Sequence, residues 1–371
     1  MKIPINWACF PGSSGYAQAA QDMILALHES GEYDIRVEYL MTSKGLKTGI
    51  SEDRYRLFQD FVQKPKDMNR IQVFHCIPPH QWQSRKTNRN LGYATFETFN
   101  PPNSGNKNWI SILNSDDAII APSQFNYRIF AHERIEKPIF YVPHCYNTKI
   151  WNDDVSPFPK NNKFTFMFLG TWHLRKGWPQ LLEAWFNEFS EKDNVRLVIK
   201  TDKKQKAIID IDKLKKELGF NKVNTAEIFI ESRIMDEEDL PRFMKSADCY
   251  ISPHMGEGFG LPGLQFMALG IPVIITNFSG SQDYASEKTA TLIEPSGFRQ
   301  IDMLDGRQQF LKKKWAFLSI NSIRSSMRYV LNNKSEVLEK SNNAKKFVYD
   351  NFNYKVVADK FGKMIQEIYN V

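Results

Sequence analysis

Short apolar runs alternate with longer amphipathic stretches along most of the chain. Residues 2–10, 33–40, 71–76, 91–96, 117–122 and 138–143 are brief, rich in β-branched and aromatic residues, and bounded by turn formers, so they read as strands. The stretches between several of them carry helical spacing. Ala20, Met23, Ile24 and Leu27 share one face after the first strand, and Ser123 is placed to cap a helix over 123–130. Periodicity lapses between 146 and 163, where Pro157, Pro159 and Asn161 crowd together, and 151–163 reads as a linker. Beyond it the alternation resumes, with strands at 164–169, 195–200, 227–231, 249–252 and 272–276. Trp178, Leu181, Leu182, Trp185 and Phe189 mark a helix between the first two. Residues 203–216 read as a charged, solvated helix or hairpin, and 312–330 as a surface helix mixing basic and apolar positions. A last helix over 354–369 has Val357, Phe361, Met364 and Ile368 in phase.

Strands alternating with helices predict an α/β protein with parallel sheets covered on both faces. In such sheets ligands lie beyond the carboxyl ends of the strands. That rule selects Gly12, Ser14 and Gly15 after the first strand, His75 and His80 after the third, and Glu97 and Thr98 after the fourth.

Composition narrows the picture. The 371 residues suffice for two domains, and 42% hydrophobic with 13% aromatic content suits well-filled cores. No apolar run reaches the roughly 18–20 residues of a membrane-spanning helix, and residues 1–12 read as a core strand rather than a leader. Cys9, Cys76, Cys145 and Cys249 are scattered without metal spacing and read as reduced thiols of a cytoplasmic protein. His75 and His80 have no evident third ligand, so no metal is expected there. The formal net charge of +7 fits either plain solubility or an anionic partner.

The stretch 249–276 carries the densest chemistry. A strand runs into Gly256-Glu257-Gly258-Phe259-Gly260, a helix begins near Leu261 with Pro262 in its first turn, and Gly270 with Pro272 ends it. A glycine turn feeding a helix start is an anion site. Glu257 beside it suits hydroxyl groups carried on a phosphate better than bare phosphate.

This run resembles the donor-site signature of retaining glycosyltransferases of family 4, E-G-F-G-L-x-x-x-E-A-M-A-x-G-x-P-V-I. Glu257, Gly258, Phe259, Gly260, Leu261, Met267, Ala268, Gly270 and Pro272-Val273-Ile274 match, whereas Gln265 and Phe266 replace its second glutamate and the alanine after it. Earlier, Gly170-Thr171-Trp172-His173-Leu174-Arg175-Lys176-Gly177 resembles the family's G-R-L-x-x-x-K-G, with Lys176 matched and Thr171 in place of the arginine that Arg175 could replace. Residues 92–102 resemble the segment in which a His or Glu, here Glu97, faces the acceptor.

The resemblance implies a GT-B fold, two Rossmann-like parallel-sheet domains facing each other across a cleft. Residues 1–150 would form the acceptor-side domain, 151–163 the linker, 164–345 the donor domain, and 346–371 a helix crossing back to the first. It implies transfer of a sugar from a nucleotide diphosphate to an acceptor hydroxyl with retention. Arg175, Lys176, Glu257 and Glu97 would be catalytic. Gly12, Gly15, Thr171, Arg233, Gly258, Phe259, Gly260, Leu261 and Gln265 would bind the donor, and Ser14, His75, His80 and Thr98 lie on the acceptor side. No cofactor or metal is expected. Basic residues Lys64, Lys66, Arg85, Lys86 and Arg89, interleaved with Trp82, and Lys312, Lys313, Lys314 and Arg324 beside Trp315, suggest an anionic acceptor: a lipid or envelope glycan at a membrane surface before a protein, and nucleic acid last. The rivals are a relative that hydrolyses or epimerises a sugar nucleotide, and a non-catalytic sugar-nucleotide binder.

Overall fold

The computed structural model describes residues 2–41, 49–84, 86–103, 108–301, 310 and 312–370, so Arg85 lies outside the described residues. The chain divides into two compact units, Met1–Lys149 with Tyr349–Val371, and Ile150–Val348. Residues 151–163 group with the second unit, where Trp151 is buried.

The first unit contains β1 (Ile3–Cys9), α1 (Gly15–Ser30), β2 (Tyr33–Tyr39), α2 (Glu52–Gln63), β3 (Ile71–His75), β4 (Arg89–Tyr93), α3 (Trp109–Leu113), β5 (Ala118–Ala121), α4 (Gln124–His132) and β6 (Ile139–Tyr141). Its sheet is parallel in the order β2-β1-β3-β4-β5-β6. Helix α1 starts where the Ser14 hydroxyl accepts the Ala17 N–H at 3.3 Å, and stops at Gly31, whose φ of 76° suits a residue without a β-carbon. Strand β4 ends at Tyr93, so Ala94–Phe96 lie in the loop beyond it rather than in the strand expected over 91–96, and Glu97 and Thr98 follow in the same loop.

The second unit contains β7 (Phe164–Leu169), α5 (Trp178–Glu188), β8 (Val195–Lys200), α6 (Lys204–Glu217), β9 (Glu227–Glu231), α7 (Asp239–Lys245), β10 (Cys249–Ser252), α8 (Leu261–Ala268), β11 (Val273–Thr276) and β12 (Thr291–Ile293). A hairpin, β13 (Gly297–Gln300) with β14 (Lys314–Phe317), precedes α9 (Ile320–Asn332) and α10 (Lys334–Phe352). The surface helix expected over 312–330 is therefore corrected. Its first part is strand β14, whose Trp315 and Ala316 are buried, and helix begins only at Ile320. The main sheet is parallel in the order β12-β11-β10-β7-β8-β9.

The last helix, α11 (Tyr354–Tyr369), belongs to the first unit. Val357, Phe361 and Ile365 join Trp7, Met23 and Val37 in one core, and the Tyr354 hydroxyl donates to Asp22 at 2.7 Å. All four cysteines are free and buried, and burial pushes the Cys9 thiol up to about 12. Among the described residues no helix is long and apolar enough to cross a membrane.

Candidate active site

In both sheets the strand order reverses at one point, and ligand sites of open α/β sheets form there. In the second unit it lies between β7 and β10. The loop after β7 carries Arg175 and Lys176, and the loop after β10 carries Glu257. Arg175 Nη1 lies 2.9 Å from a Glu257 carboxylate oxygen, and Lys176 Nζ donates to the other. All three side chains are nearly closed off from solvent. Burial would raise the Glu257 pKa, but the Arg175 and Lys176 charges hold it well below the usual carboxylate range. Two cations against one carboxylate leave a net positive charge in a poorly solvated place, where an anion is bound strongly.

The backbone is built around this triad. Gly177, with φ 74°, is so close to β10's loop that a β-carbon would sit 1.8 Å from the Pro253 carbonyl oxygen. Arg175 also donates to the Gly256 carbonyl at 3.0 Å, and its own carbonyl accepts the Met255 N–H at 2.7 Å. Gly260 begins α8 at φ 89° without a side-chain cap, leaving the first N–H groups of the helix for another partner.

A second clamp comes from the residues that follow β11. The Ser279 hydroxyl accepts the Glu257 N–H at 2.9 Å, Gly280 N–H donates to the Glu257 carbonyl at 2.9 Å, and the Tyr284 hydroxyl donates to the Gly260 carbonyl at 2.6 Å. Ser281 meets His254 Nε2 at 3.0 Å, and burial lowers the His254 pKa to about 4. The only sequence signal for this clamp is Asn-Phe-Ser-Gly placed directly after a strand.

Gln265 sits one turn into α8 and is buried, with no partner for its Nε2 among the described residues. Thr171 is exposed on the β7 loop. Arg233 folds back on Glu231, at 2.6 Å, rather than joining the triad.

In the first unit the order reverses between β1 and β3. Gly12 takes φ 94° and its carbonyl accepts Gln21 Nε2 at 2.9 Å, while Gly15 opens α1. The Tyr16 hydroxyl donates to the Thr95 carbonyl at 2.8 Å, tying the β1 and β4 loops together. Asn126 accepts the Phe96 N–H at 3.1 Å and donates to its carbonyl at 2.7 Å, which fixes the loop that holds the buried Glu97 and Thr98. His75 and His80 do not form a pair. His75 is fully buried, stacked on Tyr93 at 4.1 Å, and burial with the neighbouring His144 lowers its pKa. His80 packs edge-on against Phe10 at 5.2 Å. No group of three or more His, Cys, Asp or Glu gathers as metal ligands among the described residues.

Several of the basic residues are paired within their own units. Lys64 pairs with Asp34 at 2.5 Å, Lys66 with Glu38 at 2.8 Å, Lys86 with buried Asp116 at 2.8 Å and Arg324 with Glu188 at 3.0 Å. Arg89 lies over the Tyr369 ring at 5.2 Å. Asp34 also meets Arg70 at 2.6 Å, Glu38 meets Arg36 at 3.2 Å and Glu188 meets Arg328 at 2.6 Å, so each of these three carboxylates is shared by two cations.

Two parallel sheets of this order, with a closing helix returned to the first unit, define the GT-B fold. Solved structures share it along the whole chain. HepE of Anabaena, in complex with UDP and glucose, superposes with a TM-score of 0.67 at 12% identity, covering 98% of this chain and 100% of that one. Sucrose-phosphate synthase of Thermosynechococcus elongatus does so at 0.68 and 13%, covering 100% of both. Such low identities carry the fold alone. In sequence, residues 163–301 match the family model described as Glycosyl transferases group 1. The lipopolysaccharide core biosynthesis mannosyltransferase LpsB of Rhizobium meliloti (strain 1021) is 26% identical over 126 residues, which span 32% of this chain and 35% of that protein.

Proposed function

We propose that the protein is a retaining glycosyltransferase of family 4, moving a sugar from a nucleotide diphosphate to a hydroxyl of a glycan or glycolipid. The observation that carries this is the Arg175–Lys176–Glu257 triad, net positive and buried against a glycine loop and an uncapped helix start. As the bond from sugar to phosphate loosens, negative charge grows on the leaving diphosphate. Arg175, Lys176 and the N–H groups at the start of α8 stabilise that charge, so no metal is required. Glu257 holds the two cations in place and presents its carboxylate to sugar hydroxyls. Gln265 reaches the ribose, where an amide can donate and accept. The buried thiols support a reducing, cytoplasmic setting, with the acceptor met in solution or at a membrane surface.

HepE is described with UDP-glucose and the Rhizobium relative is a mannosyltransferase, so glucosyl and mannosyl donors come first. The test is a thermal-shift panel of UDP-, GDP- and ADP-sugars followed by product analysis with the labelled donor that binds. A new glycoside with the donor's anomeric configuration supports the reading. Inverted product, free sugar or an epimer, or binding without turnover overturns it.

A further inference from the structure

We infer that Trp82 is a stacking platform for a neutral pyranose ring of the acceptor; this rests on the glycosyltransferase reading above. The chain has eight tryptophans, and seven are at most 9% exposed, whereas Trp82 is 81% exposed. An indole left in water forgoes a large burial gain. A lone exposed aromatic is ordinary on a surface, but this one is held by a built support.

Trp82 lies in the 3-10 turn Pro78–Gln83 that follows β3, and both neighbours are bolted down. On one side Gln81 is buried and donates through Nε2 to Asp116 at 3.0 Å. That pair fits because residue 92 on β4 is glycine, where a β-carbon would stand 2.7 Å from the Asp116 carboxylate. On the other side Gln83 accepts the Met41 N–H at 2.9 Å and bonds His80 Nδ1 at 2.9 Å. His80 in turn packs on Phe10 of the β1 loop. The turn is thus tied to the loops after β1 and β2 and to the segment before β5, and it projects only the indole.

Its place in the sheet gives the platform a purpose. The loops after β1 and β3 flank the point where strand order reverses, the preferred ligand position of an open parallel sheet. The ligand's chemistry follows from the indole itself. A flat apolar face with one N–H at its edge suits the C–H face of an uncharged sugar.

The test uses the full chain labelled with 5-fluorotryptophan, with the Trp82 resonance assigned by its loss in Trp82→Phe. Probes are methyl α-glucopyranoside, methyl α-mannopyranoside and maltose, and, separately, phosphatidylcholine vesicles with and without phosphatidylglycerol. The expected result is a saturable shift of the Trp82 resonance with at least one saccharide while the other seven stay in place. In transfer assays Trp82→Ala should raise the acceptor KM about tenfold, the scale of losing one stacked face, and Trp82→Phe should recover most of it. A Trp82 resonance that ignores saccharides overturns the proposal, and one that moves only with vesicles makes Trp82 a lipid contact instead. Because the saccharide titration needs no donor, it can succeed or fail independently of the nucleotide-sugar panel that tests the enzymatic reading.

Discussion

Gly280→Ala isolates the clamp on the Glu257 loop. Gly280 has an ordinary backbone conformation, so alanine brings no dihedral penalty. Its β-carbon, however, would stand 2.1 Å from the Gly258 carbonyl oxygen and 2.6 Å from the Phe259 nitrogen. Ordinary contact begins at 3.4 Å, so the backbones must part by about 1.3 Å, and neither neighbour is a flexible side chain. Overpacking of this kind costs about 1–3 kcal/mol, which in a unit of this size lowers Tm by roughly 2–12 °C. The larger effect falls on chemistry, because the displaced segment carries Glu257 and the start of α8. A shift near 1 Å at a charge-stabilising group costs on the order of 100-fold in rate. Gly270→Ala is the matched control. It is strained, at φ 70°, but its nearest atoms are 3.8 Å away, so it should cost about 1–2 kcal/mol of stability and leave turnover alone. Donor kcat/KM and Tm are measured for both variants. If Gly280→Ala loses stability while its kcat/KM stays within threefold of wild type, the clamp does not position the donor loop.

Lys176→Ala should lower turnover by about 100-fold or more, as expected for one lost charge-stabilising group; near wild-type kcat would remove Lys176 from the mechanism. Glu257→Gln leaves two buried cations unbalanced and should destabilise by about 3–5 kcal/mol. Added nucleoside diphosphate should restore part of that Tm loss, and no rescue would mean the triad is not the phosphate site. Gln265→Glu should keep activity within about tenfold, because both side chains can accept from ribose hydroxyls; abolished donor binding would give Gln265 a different role. His75, His144 and His254 are buried with lowered pKa values, to about 3 for His144 and about 4 for His254. The unfolded chain binds their protons first, so stability is full above about pH 6.5 and falls below it, by up to about 1.4 kcal/mol per pH unit for each. Denaturant melts between pH 7 and 5 check this, and a flat profile would contradict it.

The sequence was most legible where chemistry and turn geometry are local. Gly258, Phe259, Gly260 and Pro262 announce a glycine turn and helix start within a few positions, and Lys176 sits in the loop that follows a strand. What joins those pieces was not legible. The contacts of Arg175 and Lys176 with Glu257 span about eighty residues, and the Gly280 clamp acts through backbone packing that no side-chain pattern records. Strand β14 was misread for a related reason. Its pairing partner, Gly297–Gln300, lies outside any window used to judge helical spacing, so Lys-Trp-Ala-Phe looked like part of the helix that follows it. The partners of the basic residues were not legible either, because composition counts charges without them. Lys64 and Lys66 meet Asp34 and Glu38 across β2, some thirty positions away.

Helix α11 has a consequence for the order of events during synthesis. The ribosome makes all of Ile150–Val348 before it makes Tyr354–Tyr369, yet Trp7, Met23 and Tyr33 need Phe361 and its neighbours to close their core. The inner segment can fold as a unit as soon as it emerges, while the first 149 residues wait with an open apolar face. That wait is the interval of greatest exposure to aggregation, and the contacts that end it are among the longest-range in the chain. A Phe361→Ala change should therefore lower the yield of folded protein made in cells more than it lowers the Tm of the molecules that succeed.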